Sequence, residues 1–191
     1  MQQDFTPQQS LLLIQSMIQK TKANLSENRF YFLLWGWCIF AAILVQFVLK
    51  VWLAYKYHYI VWLVTFVALF ITIWHNKKDS KKARAVTYVG ESMGNLWMGV
   101  GISFFILSFI ISAGIGWLHA WPFMILMYGL GTFISGKILQ FKPLVVGGIL
   151  NWCIAGVTVF VPYDYQLLLA ALAIALSYLI PAYLIKPEKH Q

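Results

Sequence analysis

The chain has 191 residues, 61% of them hydrophobic and 10% charged, whereas soluble domains are roughly 45–50% apolar and about 25% charged. This composition excludes an ordinary water-soluble enzyme, and six apolar segments of about 20 residues each leave little chain for a separate catalytic domain. The net charge of +8 does not indicate a nucleic-acid partner. The basic residues stand at the ends of the apolar segments, where membrane topology and anionic lipid headgroups account for them.

Residues 1–29 are predicted to form a cytoplasmic amphipathic helix. Leu11, Ile14, Ile18 and Leu25 fall on one helical stripe, and polar side chains cover much of the remaining surface. The stretch lacks the basic start, apolar core and small-residue cleavage site of a signal peptide. Two interpretations stay open: the helix lies on the inner leaflet or against the bundle, or it docks a cytoplasmic protein.

Six long apolar segments follow and predict an all-α, polytopic transmembrane helical bundle, because helices satisfy their own backbone hydrogen bonds in lipid. The segments are 30–49, 59–74, 96–118, 122–139, 143–161 and 165–185. Short links pair them into three hairpins. A similar motif early in the first segment of each hairpin suggests a threefold repeat, although apolar helices also resemble one another by chance.

The distribution of lysine and arginine predicts the orientation of the bundle. If the segments alternate in direction, every basic residue except Lys50 and Lys56 falls on one side. The Lys/Arg-rich side of a polytopic membrane protein faces the cytoplasm. Both termini, including the tail 186–191, are therefore predicted to be cytoplasmic.

The motifs in the chain do not predict catalysis, a cofactor or a metal. Residues 90–94, GESMG, match the spacing of a hydrolase nucleophile elbow but lack its strand–turn–helix context. The four histidines do not have the spacing of metal ligands. Cys38 and Cys153 do not form a C-x-x-C pair and are predicted to be structural. We therefore expect that the protein is not an enzyme.

Four polar residues in or beside the apolar segments form the candidate site: Glu91, Asn95, Asn151 and Lys137. Ionisable residues within membrane helices are functional candidates by default. In one interpretation Glu91 holds a cation or proton, the two asparagines are neutral ligands, and Lys137 is a competing charge. In the other, Glu91 lies at the interface and pairs with Arg84 or Lys137, while the amides only join helices.

Glycines with small-xxx-small spacing occur in the third and fourth segments, at Gly90/Gly94 and Gly131/Ser135. Such spacing lets helix backbones approach closely. It predicts close packing within the bundle, and a homo-oligomer formed through glycine-rich faces is a further hypothesis.

Two stretches, ENRFYFLLWGW at 27–37 and SGKILQFKPLVVGG at 135–148, resemble those of small six-span bacterial proteins for which no activity is known. The resemblance implies a location in the bacterial cytoplasmic membrane and carries over no site residue. The buried polar groups favour a transporter or channel for a small solute or an ion. The alternative is a non-catalytic scaffold or signalling subunit that recruits a cytoplasmic partner through the N-terminal helix.

Overall fold

The computed structural model describes residues 7–82 and 88–185, and the regular structure within these ranges is entirely helical. The predicted all-α class is confirmed for this part of the chain. The helices, in chain order, are α1 (Pro7–Phe47), α2 (Val64–Lys82), α3 (Tyr88–Ile110), α4 (Ala120–Ile138), α5 (Lys142–Thr158), α6 (Tyr163–Ile174) and α7 (Ile180–Leu184).

Shorter helical turns of other pitch extend these helices. The 3₁₀ turns His58–Leu63 and Trp117–His119 lead into α2 and α4. The π-helical turns Val48–Trp52 and Ile111–Ile115 prolong α1 and α3, and a third, Ala175–Leu179, joins α6 to α7. The rods that contain such a turn are therefore longer than their α-helical parts alone, whereas α5 has no extension.

Five of the described helical rods are long and apolar enough to cross a membrane. They are Asn28–Trp52, His58–Lys77, Tyr88–Gly114, Trp117–Ile138 and Tyr163–Leu184. The remaining apolar helix, α5, has 17 residues, at the short end of the range for a membrane-spanning helix. The third rod begins earlier than its predicted apolar segment, and Glu91 lies in the first turn of α3.

The first helix is continuous across the predicted boundary at residue 30. Helix α1 has 41 residues, about 60 Å at 1.5 Å per residue, whereas the hydrocarbon core of a bilayer is about 30 Å thick. Its N-terminal part therefore extends well beyond the apolar rod that starts at Asn28. Residues 1–6, the side chains of 7–24 and the predicted tail 186–191 lie outside the described residues, so the amphipathic stripe stays a prediction.

The helices pack side by side in the order α2, α1, α6, α5, α4, α3. The buried core lies where α1, α4, α5 and α6 meet, with Leu144 and Leu167 completely buried. At the two ends of this order, α2 and α3 each pack mainly against one neighbour. Their outer faces carry large exposed apolar side chains, such as Phe70 and Phe105. Surfaces of this kind indicate contact with lipid or another protein.

Glycines allow the closest helix pair, α4 and α5, to form. A Cβ atom on Gly136 would lie 2.6 Å from the backbone nitrogen of Val145. A Cβ atom on Gly148 would lie 2.7 Å from the backbone nitrogen of Phe133. Real Cβ atoms do not tolerate such distances, so the two backbones meet only because these positions lack side chains.

The bundle has two distinct ends. The hairpin end carries the connections between α1 and α2, α3 and α4, and α5 and α6. There an ion pair joins Lys50 to Asp164. The opposite, terminal end is where the apolar rod of α1 begins and α7 ends. There Arg29 Nε donates a hydrogen bond to the carbonyl of Ala182 at 3.2 Å.

The π turn between α6 and α7 coincides with a proline. Pro181 has no backbone N–H, so the carbonyl of Ser177 lacks its usual helical donor four residues later. Gly147 of α5 packs against this point, because a Cβ there would lie 2.6 Å from Ser177 Cα. The irregular turn is thus held against α5 by close backbone contact.

Candidate functional site

A cavity of about 2370 Å³ runs along one side of the bundle. Its walls come from α1, α2, α3 and α4, and a few residues of α5 and α6 form its back. Within the described residues α2 and α3 make no extensive contact with each other, so the cavity opens sideways between them. We call it the cleft. It reaches from Glu91 near the terminal end to Lys50 at the hairpin end.

Ring side chains form the middle of the cleft. This aromatic wall is centred on Tyr178, which lies in the π turn and is 3% exposed. Three other rings pack around it, with centroid distances of 5.2 Å, 5.7 Å and 4.9 Å. They belong to Phe32, Trp97 and Tyr128, in that order.

Hydrogen bonds fix the position of this wall. Trp97 Nε1 donates to Ser135 Oγ at 3.1 Å, and Ser135 Oγ in turn donates to the carbonyl of Gly131 at 2.7 Å. The indole is therefore pinned to α4 while its ring stays at the edge of the cleft. Rigid aromatic surfaces of this kind bind apolar groups with little loss of side-chain entropy.

At the hairpin end the cleft carries a polar network around Gln46, which is 3% exposed. Trp62 Nε1 donates to Gln46 Oε1 at 2.7 Å. The amide nitrogen of Gln46 lies 3.2 Å from His58 Nδ1. Because an indole nitrogen can only donate, the amide orientation is settled, and Gln46 Nε2 must donate to His58 Nδ1. The proton of a neutral His58 then resides on Nε2.

The Lys50 ammonium lies next to this network, four residues after Gln46, in the π turn that prolongs α1. Lys50 Nζ forms the ion pair with Asp164 and lies 4.0 Å from the ring centroid of Tyr163. Lys50, His58 and Tyr163 line the cleft, whereas Asp164 is not among the lining residues. The cation and its neighbours thus border the cavity, and the acid lies outside its lining.

Three of the four sequence-predicted site residues border the same cleft. Glu91 and Asn95 are exposed on α3, and Asn151 lies at the back, fully buried. Asn151 Nδ2 donates to Ser177 Oγ at 3.1 Å, while Asn151 Oδ1 has no hydrogen-bond partner among the described residues. The Asn151 side chain thus joins α5 to the π turn that follows α6, and its Oδ1 remains available as an acceptor.

The fourth predicted residue, Lys137, does not join the others. It is exposed, does not line the cleft, and its Nζ lies 5.6 Å from the ring centroid of Phe133. The structure does not place an ion pair between Glu91 and Lys137. The other suggested partner, Arg84, lies outside the described residues.

Metal-ligand geometry is not found in the described ranges, where three or more His, Cys, Asp or Glu side chains do not cluster. Cys38 is half-buried and Cys153 is exposed, and both are free thiols. The cleft offers aromatic contact in its middle, and hydrogen bonds and charge at its ends.

Sequence reasoning missed the polar network at the hairpin end. The charge pattern places Lys50 on the side with few basic residues and assigns no role to His58, although Gln46 and Lys50 stand four apart and therefore share one helix face. This four-residue spacing is the feature of the sequence that could have indicated the polar network. Asp164 is 114 residues from Lys50, and nothing local in the sequence links the two.

No protein-family model matches the chain, and neither a curated protein nor a solved structure matches it. The geometry and chemistry of the cleft are accordingly the basis for assigning a function.

Proposed function

We propose that this chain is an integral membrane protein that binds a small amphipathic solute in the cleft and transports it, without catalysing a reaction. The observation that carries the proposal is the cleft itself. It combines polar groups at both ends with an aromatic wall between them, and it opens sideways. The five long apolar rods and the exposed apolar faces of α2 and α3 support placement in a bilayer.

The orientation follows from the charge distribution. The terminal end carries most of the lysines and arginines and would face the cytoplasm, whereas Lys50 and Lys56 are at the hairpin end. Glu91 and Asn95 would then stand at the cytoplasmic mouth of the cleft, and Gln46 at the opposite mouth. This arrangement agrees with the cytoplasmic-membrane location that the sequence resemblance implies.

The chemistry of the lining narrows the class of solute. Apolar and aromatic side chains form most of the cleft surface, and an ion without its hydration shell is costly to place against such a surface. An amphipathic molecule fits better, because its apolar part contacts the rings while its polar part meets the polar ends. The lateral opening would also let an alkyl chain enter from the bilayer.

Two glycines on α3 provide a matched test. Gly101 lines the cleft and Gly99 does not, and a Cβ at either position meets nothing within 4 Å. Gly101→Phe should therefore fill the cleft without disturbing the fold, and Gly99→Phe should add the same ring outside it. The assay is saturable binding of twelve-carbon amphiphiles with neutral, anionic and cationic headgroups to protein in lipid nanodiscs.

The expected result is saturable binding of at least one amphiphile to the wild type and to Gly99→Phe, weakened tenfold or more in Gly101→Phe. Failure of every headgroup to bind the wild type saturably would contradict the proposal. Equal binding by the two variants would contradict it as well, because occupancy of the cleft would then not matter.

A second candidate function is supported by the length of α1, which projects beyond its apolar rod at the terminal end. In that role the protein is a scaffold or signalling subunit, and the projecting helix binds a cytoplasmic protein. Deletion of residues 1–24 retains Leu25, which packs against the core. Loss of a defined partner on deletion, with amphiphile binding absent from the intact protein, would favour this candidate.

A further inference from the structure

We propose that the hairpin end of the cleft is a headgroup site for an oxyanion, a phosphate or a carboxylate, whose apolar tail lies along the aromatic wall. The site consists of Lys50 and His58 as donors, with Gln46 as the residue that positions His58. This inference rests on the proposed function, because it names the polar part of the amphipathic solute and the end of the cleft that receives it.

The first support is the hydrogen-bond direction at His58. Trp62 orients the Gln46 amide, and the amide makes His58 Nδ1 an acceptor. The remaining ring nitrogen, Nε2, therefore carries a proton. Within the described part of the chain this N–H makes no hydrogen bond, and His58 lines the cleft. The network thus presents a donor to whatever occupies the cavity.

The second support is the placement of charge. The Lys50 side chain is 27% exposed and lines the cleft, whereas Asp164, whose side chain is 46% exposed, does not line it. A ligand in the cleft therefore borders an ammonium and an imidazole N–H, whereas the carboxylate lies outside the cleft lining. Charge-assisted hydrogen bonds of this kind are the strong ones for oxyanions.

The third support is the contrast between the two ends of the cleft. Although most lysines and arginines are at the terminal end, Glu91 is the residue there that brings a charge into the cleft lining, and this acid repels an anionic headgroup. The same headgroup at the hairpin end leaves the aromatic wall free for the tail. Charge thus selects both the sign of the headgroup and the direction in which the molecule lies.

The test compares headgroups on one tail. Dodecyl phosphate, dodecanoate, dodecyl maltoside and dodecyltrimethylammonium are measured against the full-length protein in nanodiscs of uncharged lipid. The two anions are expected to bind at least tenfold more tightly than the trimethylammonium compound, a difference within reach of one charge-assisted hydrogen bond. Equal or tighter binding of the cationic compound would overturn the headgroup site.

Variants of the ion pair separate binding from structure. Lys50→Met should weaken binding of dodecyl phosphate about tenfold or more, whereas Lys56→Met, which changes the other lysine of this end outside the cleft lining, should not. Asp164→Asn should strengthen anion binding, because it frees the ammonium from its competitor. If both members of the pair were purely structural, both variants would weaken binding together, and that result would contradict the inference.

His58→Asn tests the second donor. Asparagine keeps an acceptor oxygen close to the position of Nδ1 for Gln46 and removes the N–H at Nε2. Anion binding should fall severalfold while the melting temperature and the binding of dodecyl maltoside stay at the wild-type level. Unchanged anion binding would remove His58 from the site.

The outcomes also distinguish this inference from the proposed function. Similar affinity for all four headgroups, lost in Gly101→Phe, would leave the solute-binding cleft standing and overturn the oxyanion site. Selectivity for anions supports the site. Competition then identifies the source of the bound oxyanion: competition by phosphatidylglycerol indicates a lipid headgroup, and competition by free dodecanoate indicates a free acid.

Discussion

Asn151 of α5 and Ser177 of the π turn are joined by a hydrogen bond of 3.1 Å between Nδ2 and Oγ. Both side chains are completely buried. The bond holds the irregular part of the last rod against α5, directly behind Tyr178 and the aromatic wall. It thereby connects a polar residue that the sequence singles out with the helical irregularity that shapes the cleft.

Removal of the hydroxyl should measure the value of this bond. Ser177→Ala leaves Asn151 Nδ2 without its acceptor, and we expect a loss of about 1 kcal/mol in the free energy of unfolding. Ser103→Ala is the control, because Ser103 Oγ bonds only to the carbonyl of Gly99 on its own helix. Thermal unfolding in detergent provides the comparison, and equal melting temperatures for the two variants would contradict the proposed joining role.

Close packing of α4 on α5 makes a second prediction. Gly148→Ala places a methyl group within 2.8 Å of three Phe133 atoms, two of them backbone, and overpacking of this kind typically costs about 1–3 kcal/mol. Gly99→Ala meets open space and should leave the melting temperature unchanged or slightly higher. A Gly148→Ala protein as stable as Gly99→Ala would show that the two helices are farther apart than described.

The Gln46 network makes a third prediction, in the form of a double-mutant cycle. Gln46→Leu leaves the indole N–H of Trp62 without its acceptor, so this variant should lose about 1–3 kcal/mol in the free energy of unfolding. In the Trp62→Phe background the same change should cost less, with a coupling of roughly 0.5–3 kcal/mol. Chemical unfolding of the four proteins gives the cycle, and strictly additive losses would mean that the two side chains do not share a bond.

Hydropathy was sufficient to predict the all-α class and the approximate positions of six helices, because the length of an apolar run is a local property. Glu91 and Asn95 stand four apart in the sequence, and both lie on α3. The cleft could not be predicted in this way. It results from the packing order, which leaves α2 and α3 apart, and no local pattern specifies that order.

Lys137 illustrates the same limit of prediction from local sequence patterns. Tyr128 lines the cleft, and Lys137 follows it by nine positions on α4, about two and a half turns at 3.6 residues per turn. The two side chains therefore project from opposite faces. That these two residues lie on opposite faces of α4 can be derived from their spacing, but which face borders the cavity cannot. Grouping Lys137 with the asparagines therefore had no geometric basis.

Glu91 makes a fourth prediction, which concerns transport. Its side chain is exposed at the terminal mouth of the cleft, so Glu91→Gln should unfold at the wild-type temperature. We expect the variant to slow or abolish passage of a cleft-binding amphiphile across proteoliposomes. Lys137→Gln, which lies outside the cleft lining, is the matched control. A wild-type rate in Glu91→Gln would remove this residue from the transport path.

Photolabelling shows directly whether the gap between α2 and α3 is a binding chamber. A twelve-carbon phosphate with a diazirine in its tail is bound to the protein in nanodiscs, activated by light and mapped by peptide mass spectrometry. If the gap is a binding chamber, adducts form on cleft residues such as Met93, Met98 and Met124. Excess unlabelled dodecyl phosphate then suppresses them. Adducts confined to outward residues such as Phe105 and Phe109, undiminished by that competitor, would contradict this role of the gap.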